Sequence, residues 1–449
     1  MATRSRTFVT IAAAISVLVA AVALGGGIAL VGGIVGSGKT VVTVRLWDDK
    51  VAAAYEASFA EFEQSNSDIA IDVTVIPWSQ YWTQLESDVL AGSAADIFWI
   101  NSSYYADYAD KGALLDIDRS FGTNAKSGWA PSVVDQFTRN GSLWGIPQLS
   151  DAGIAIYYNK AALAASGVSA ESLEALVWNP DPAADTFLPV VQALTKDTSG
   201  RPANDPEFDA SALAQFGYNA ANELQAIQLP FIGSNGGRFQ DGEEFTFTSP
   251  RTAEAMQYLV DLVNRYRVSP PAAATNADGD YSLDQFVGGR MALFQSGLYN
   301  LASVAEAANF DWGVASIPAG PAGRVSVTNG VAAAGNTASS HPGATRKVLA
   351  WLGSERGNRF IGANGAAVPG GVDAQQAYFD YWTSKGVDVS KFFDVVAGDA
   401  TTISPPQGTN FNAVVAVYDP IFDEVFANGI PVAEGLERAE AEANAVIAK

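Results

Sequence analysis

Apolar and polar residues alternate one by one through VVTVRLW, Val41 to Trp47, and then recur every three or four positions through KVAAAYEASFAEFEQ, where Tyr55, Phe59 and Phe62 share a face. Period two followed by period 3.6 predicts a strand and an amphipathic helix, joined by a turn at Asp48-Asp49. A second alternating run, IAIDVTV, completes a β-α-β unit. The same succession continues through QYWTQLESDVLAGSAADIFWI. Strands alternating with helices predict an α/β fold with mainly parallel sheets. The strand DIFWI gives way to Asn101, and ligands of open α/β sheets sit beyond such carboxyl ends.

Further along, VWNPDPAADTF and RPANDPEFD are Pro- and Asp-rich surface excursions, with the helical FLPVVQALTKD between them. TSPRTAEAMQYLVDLVNRYRV predicts a long helix capped by Ser249, with Pro250 at its first position. DWGVASIP and RVSVTNGVAAAG read as a strand pair around the turn AGPAG, and the last third is again helical. Neither an internal repeat nor a coiled-coil heptad is present.

The N-terminus changes the picture. MATRSRTF carries Arg4 and Arg6 ahead of VTIAAAISVLVAAVALGGGIALVGGIVG, the pattern of an export signal. The apolar run exceeds a signal-peptide core and reaches the ~20 residues that span a bilayer. Residues 1–40 are therefore expected to be a signal, cleaved near Ala21-Val22-Ala23, or a retained anchor to the outer face of the cytoplasmic membrane. With no cysteine in the chain, neither disulfides nor a lipid-modified cysteine can contribute. Stability must come from the core, which 48% hydrophobic content can supply for two lobes. The formal net charge is −22, and the first forty residues hold only positive charges. So acidic a chain is a poor partner for nucleic acid or an anionic membrane surface.

Motifs in the chain bear on five chemistries. Gly33 to Thr40 matches the phosphate loop G-x-x-x-x-G-K-[ST], but a strand follows where a helix N-terminus is needed, so no ATP binding is expected. His341 is the single histidine and no G-x-S-x-G elbow occurs, which argues against Ser-His catalysis and zinc. Asn276, Asp278, Asp280, Ser282 and Asp284 alternate like calcium ligands, yet Tyr281 and Val287 stand where glycine and glutamate are required. Neither metal nor cofactor is expected. A pair of glycosidase carboxylates stays open among 48 acidic residues.

Aromatic residues give the better signal. Trp47, Trp78, Trp82 and Trp99 occur where predicted strands end or turns begin, with Tyr299 in SGLYN, and several have Asp, Asn or Gln beside them. A flat apolar face covers the C–H face of a sugar while neighbouring polar groups meet its hydroxyls.

In order and character, LWDDKVAAAYEASFAEFEQ, AADIFWINSSYYADYADKGALLDID, GIPQLSDAGIAIYYNKAAL, FVGGRMALFQSGLYNL, WGVASIPAGP, SVTNGVAAAGNTASSHPGATRKVLAWLGS and NGAAVPG resemble the carbohydrate-binding class of extracellular solute-binding proteins of ABC importers, the group that includes maltose-binding protein. The resemblance implies a two-lobed, hinged type II binding-protein fold. It implies one lobe from 41–149 plus 325–357 and another from 150–324 plus 358–449, with crossings near Ser150, Arg324 and Gly357. It further implies a monomer that captures a mono- or oligosaccharide and delivers it to ABC permease membrane subunits, without covalent chemistry. Carried onto this sequence, the ligand-binding set is Trp47, Asp49, Trp78, Trp82, Trp99, Asn101, Asp151, Asn235, Tyr299 and Asn329. A secreted or anchored carbohydrate-active enzyme and a sugar-sensing surface receptor are the alternatives.

Overall fold

Strand β1 (Thr40–Leu46) buries Val42, Val44 and Leu46 in alternation, as its period-two pattern requires. The computed structural model describes residues 38–150, 152–397 and 400–448. The expected signal or anchor, most of the phosphate-loop match and Asp151 lie outside the described residues. After β1 come helix α1 (Asp49–Ser65), β2 (Ile69–Val75), α2 (Trp78–Ala91), β3 (Ile97–Asn101), β4 (Ile146–Leu149) and β5 (Ile154–Asn159). Then follow α3 (Pro250–Asn264), β6 (Leu293–Gly297), β7 (Trp312–Ser316), β8 (Arg324–Val327) and β9 (Val331–Gly335). The chain continues through α4 (Pro342–Leu352), α5 (Glu355–Ala363), β10 (Ala400–Ile403), α6 (Phe411–Phe426) and α7 (Val432–Ile447).

Two sheets organise these elements. The first has the order β2-β1-β3-β9-β4. Its β1 runs parallel to β2 and β3, as the β-α-β pattern predicts, but β9 is antiparallel to both β3 and β4. The second sheet, β6-β5-β7, is antiparallel throughout. The two-lobed α/β architecture is thus present with sheets less parallel than expected. The reason is topological: β9 joins the first sheet on return from the second lobe, so no crossover helix fixes its direction.

RVSVTNGVAAAG is a second correction. Its halves do not flank a hairpin with DWGVASIP; β8 pairs in parallel with β10, whereas β9 inserts into the first sheet. Thr328-Asn329-Gly330 is the passage between lobes.

Period two also divides the second lobe's interior. Ile154 and Ile156 of β5 face a core with Trp178, Phe231, Leu259 and Phe422, while Ala155 and Tyr157 face another with Phe286, Tyr378 and Trp382. The first lobe's core joins Tyr55, Phe59, Trp99 and Leu349, and it also includes Ile361 and Ala366. Val327 packs in the second lobe. Along the chain the core that is packed against changes between Val327 and Val331 and between Ala366 and Val368, and the crossings were expected near Arg324 and Gly357. β8 is held by β10, and α5 is held on α1, where the Ser58 hydroxyl donates to the Gly357 carbonyl at 2.8 Å.

Three crossing segments run side by side. The Ser150 amide donates to the Val368 carbonyl at 2.9 Å and the Gly370 amide to the Gln148 carbonyl at 2.8 Å, while Leu149 pairs with Val331. Among the described residues no helix is long and apolar enough to cross a membrane.

Candidate functional site

The carboxyl end of β1 delivers Trp47 into an aromatic cluster. Its ring centroid lies 4.9 Å from Trp99, 5.0 Å from Tyr81, 5.2 Å from Trp78 and 5.5 Å from Trp82. Most of these pairs meet edge to face, the arrangement favoured by the ring quadrupoles. Trp78, Tyr81 and Trp82 come from the first turns of α2, and Trp99 comes from the middle of β3. One side of the cluster reaches the surface, because Trp78 is 49% exposed.

Within the cluster, accessibility separates the predicted tryptophans. Trp47 is half-buried and Trp78 is open, so both keep exposed surface. Trp82 is buried, and Tyr104 stacks on it with centroids 3.9 Å apart and planes 8° from parallel. Its indole N–H has no hydrogen-bond partner among the described residues. Trp99 stands apart from these. It is fully buried, its N–H donates to the Tyr55 hydroxyl at 3.0 Å, and its carbonyl accepts from the Tyr81 hydroxyl at 2.9 Å. A central strand covered on both faces leaves that ring no surface to offer.

Polar candidates divide in the same way. Asp49 is exposed at the start of α1. Its neighbour Asp48 is the helix cap, accepting from the Lys50 amide at 2.8 Å and the Val51 amide at 3.0 Å. Asn101 is buried, and its side-chain oxygen accepts from the Ser103 and Tyr104 amides, both at 3.2 Å. It shapes the turn that aims Tyr104. Asn235 is buried at the end of the helix Leu229–Ser234, donating to the Arg251 carbonyl at 2.7 Å and Glu254 at 3.0 Å. Asn329 is engaged at both ends of its amide, with Ser102 and Gln225. All three asparagines hydrogen-bond within the protein, and the Asn235 side-chain oxygen has no partner among the described residues. Asp151 lies outside the described residues.

From the second lobe, Tyr299 is 42% exposed in the short turn Leu298–Asn300 after β6. Its ring packs over Gly297, where an added Cβ would lie 2.1 Å from the nearest ring carbon. Lys50, beside Asp49, forms an ion pair with Glu306 on the helix that follows Tyr299. This pair brings the Tyr299 region to the lip that carries Asp49. Deeper in, Tyr104 of the first lobe meets Phe411 of the second at 5.1 Å. Asp107 accepts from the Asn410 amide at 3.2 Å, and the Tyr108 hydroxyl accepts from Asn412 at 3.1 Å. Sequence reasoning missed Asp48, Tyr104 and the Lys50–Glu306 pair; the cap pattern at Asp48 was the only local signal among them.

As for the nucleotide motif, Thr40 opens β1 and Lys39 pairs with Glu63 at 3.7 Å. The strand β1, not a helix, follows them.

Burial raises the pKa of Asp48 and Asp185 above the ordinary 3.8 and that of Glu223 above 4.5. The folded state then holds more protons than the unfolded chain between the ordinary and raised values. Stability should rise as pH falls through the raised values and stop rising at the ordinary ones. The melting temperature is therefore expected to increase as pH is lowered from 7 towards 4.5. Below 3.8 the sense reverses at Asp110, whose pKa is lowered by the hydrogen-bonded Arg139 guanidinium. Thermal melts across this range check the sign, and a steady decrease from pH 7 would contradict it.

The matches to known proteins agree with this architecture. Residues 48–359 match the family model for bacterial extracellular solute-binding proteins. UspC of M. tuberculosis is 52% identical, with a TM-score of 0.71 over 90% of this chain and 99% of that one. An ABC substrate-binding protein of Listeria monocytogenes, solved in complex with cycloalternan, is 20% identical with a TM-score of 0.77, covering 91% of this chain and 99% of that one. A Brucella abortus chain, named no more specifically than as a binding protein, is 22% identical over 79% of this chain and 81% of its own. The chain belongs to the bacterial extracellular solute-binding proteins, as a non-enzymatic solute-binding component of an ABC transporter.

Proposed function

We propose that the solute is a sugar or oligosaccharide, held between the lobes and handed to the permease membrane subunits. The observation that carries this reading is the aromatic wall at the end of β1, where half-exposed Trp78 and Trp47 adjoin exposed Asp49. An apolar face next to a hydroxyl-binding carboxylate is the combination a sugar ring requires. Tyr299 supplies a second aromatic face from the other lobe. The cycloalternan complex of the Listeria protein supports the ligand class on a related fold. Export through the N-terminal apolar segment, cleaved or retained, would put the site outside the cytoplasm.

A thermal-shift panel of mono- and oligosaccharides tests the class. At 100 times its dissociation constant a ligand adds ~2.7 kcal/mol of stability, so one sugar series should raise the melting temperature of the chain. Amino acids and peptides raising it instead would overturn the reading.

Gly297→Ala tests the second face. With no room for a methyl group against the Tyr299 ring, that ring must swing away. Sugar affinity should fall by about the same factor in Gly297→Ala and Tyr299→Ala, within the ~0.5–1.5 kcal/mol range of an aromatic contact. Titration of both variants with the stabilising sugar provides the check, and undiminished affinity would remove Tyr299 from the site.

A further inference from the structure

The passage Thr328-Asn329-Gly330 is gripped firmly by the first lobe. Gln136 accepts from the Gly330 amide at 2.6 Å and donates to the Thr328 carbonyl at 3.4 Å. The Ser102 hydroxyl, just past the end of β3, donates to the Asn329 side-chain oxygen at 2.8 Å. From the same amide group, the Asn329 nitrogen donates to the Gln225 side-chain oxygen at 3.2 Å. Gln225 lies in the second lobe, in the π-helical turn Leu224–Gln228, whose first amides are capped by Glu223. Wide turns of this kind are uncommon and concentrate at functional positions.

We propose that Asn329 is an interlobe strut: through the line Ser102–Asn329–Gln225 it ties the end of β3 to the π-turn of the second lobe and biases the hinge towards the closed arrangement. A rotation about the crossing segments moves Gln225 relative to a passage that stays with the first lobe, so the Asn329–Gln225 bond is broken on opening. The bond is made in one arrangement and not in the other, which is the condition for an interaction to shift an equilibrium between them. Any solute bound between closed lobes then gains apparent affinity in proportion to the closed fraction. The strut does not depend on that solute being a sugar.

The absence of cysteine makes the test direct. Spin labels at Leu90→Cys in the first lobe and Glu437→Cys in the second, both exposed positions, report the interlobe distance without added solute. One neutral hydrogen bond corresponds to a change of roughly two- to tenfold in the ratio of open to closed molecules. Asn329→Ala and Gln225→Ala should each enlarge the long-distance population by such a factor. Gln225→Ala leaves the passage and its grip by Gln136 intact, so it reports on the strut even if Asn329→Ala perturbs folding. Superimposable distance distributions in Gln225→Ala and the unsubstituted chain would overturn the proposal.

Discussion

Replacing Trp99 by alanine should cost about 3–5 kcal/mol of stability, the range for emptying a buried aromatic site. For a lobe of this size that is a fall in melting temperature on the order of 10 °C. The ring is fully buried against Trp47 and Tyr55, and its loss removes more than volume. The Tyr55 hydroxyl accepts from Trp99 and donates to the Gln148 side-chain oxygen at 2.6 Å. Gln148 in turn donates to the Pro147 carbonyl at 3.0 Å and the Leu352 carbonyl at 3.3 Å, next to the first crossing segment. Damage at Trp99 thus propagates to the hinge. Trp99→Phe should retain much of the packing while leaving Tyr55 one partner short. Thermal melts of both variants check this, and a melting temperature unchanged in Trp99→Ala would contradict the placement of this residue in the core.

Trp78→Ala should behave in the opposite way. The ring is half in solvent, so its removal forfeits edge contacts with Trp47 and Trp82 but opens no cavity. Stability should change by less than about 1 kcal/mol, as for surface positions in general. Sugar binding should weaken by up to about tenfold, the equivalent of one aromatic contact. Paired melting and titration experiments separate the two tryptophans, which look alike in sequence.

That likeness marks where sequence ceased to be informative. Trp78 and Trp99 both sit at predicted element boundaries with polar neighbours. What distinguishes them is that β3 is enclosed by β1 and β9, and β9 arrives from more than two hundred residues away. Local periodicity carries no information about such a partner. By contrast, β1, α1 and β2 were legible because each element's own pattern specifies the face it buries. The asparagines are ambiguous in sequence for a related reason. Asn101, Asn235 and Asn329 are the residue type a sugar site uses, and equally the type that satisfies turns, helix ends and passages between lobes. Only their partners decide, and those are tertiary. RVSVTNGVAAAG likewise reads as one continuous strand region, although Asn329-Gly330 divides it between two lobes.

The central expectation is a sugar held against the Trp47–Trp78 wall. The most direct measurement is isothermal titration of the chain with the sugar that stabilises it most, run beside Trp78→Ala, with the sugar recovered and analysed by chromatography. The expected result is one sugar bound per chain, returned intact, with weaker binding in Trp78→Ala at an unchanged melting temperature. Equal affinity in both proteins, or a sugar returned as fragments, would contradict it.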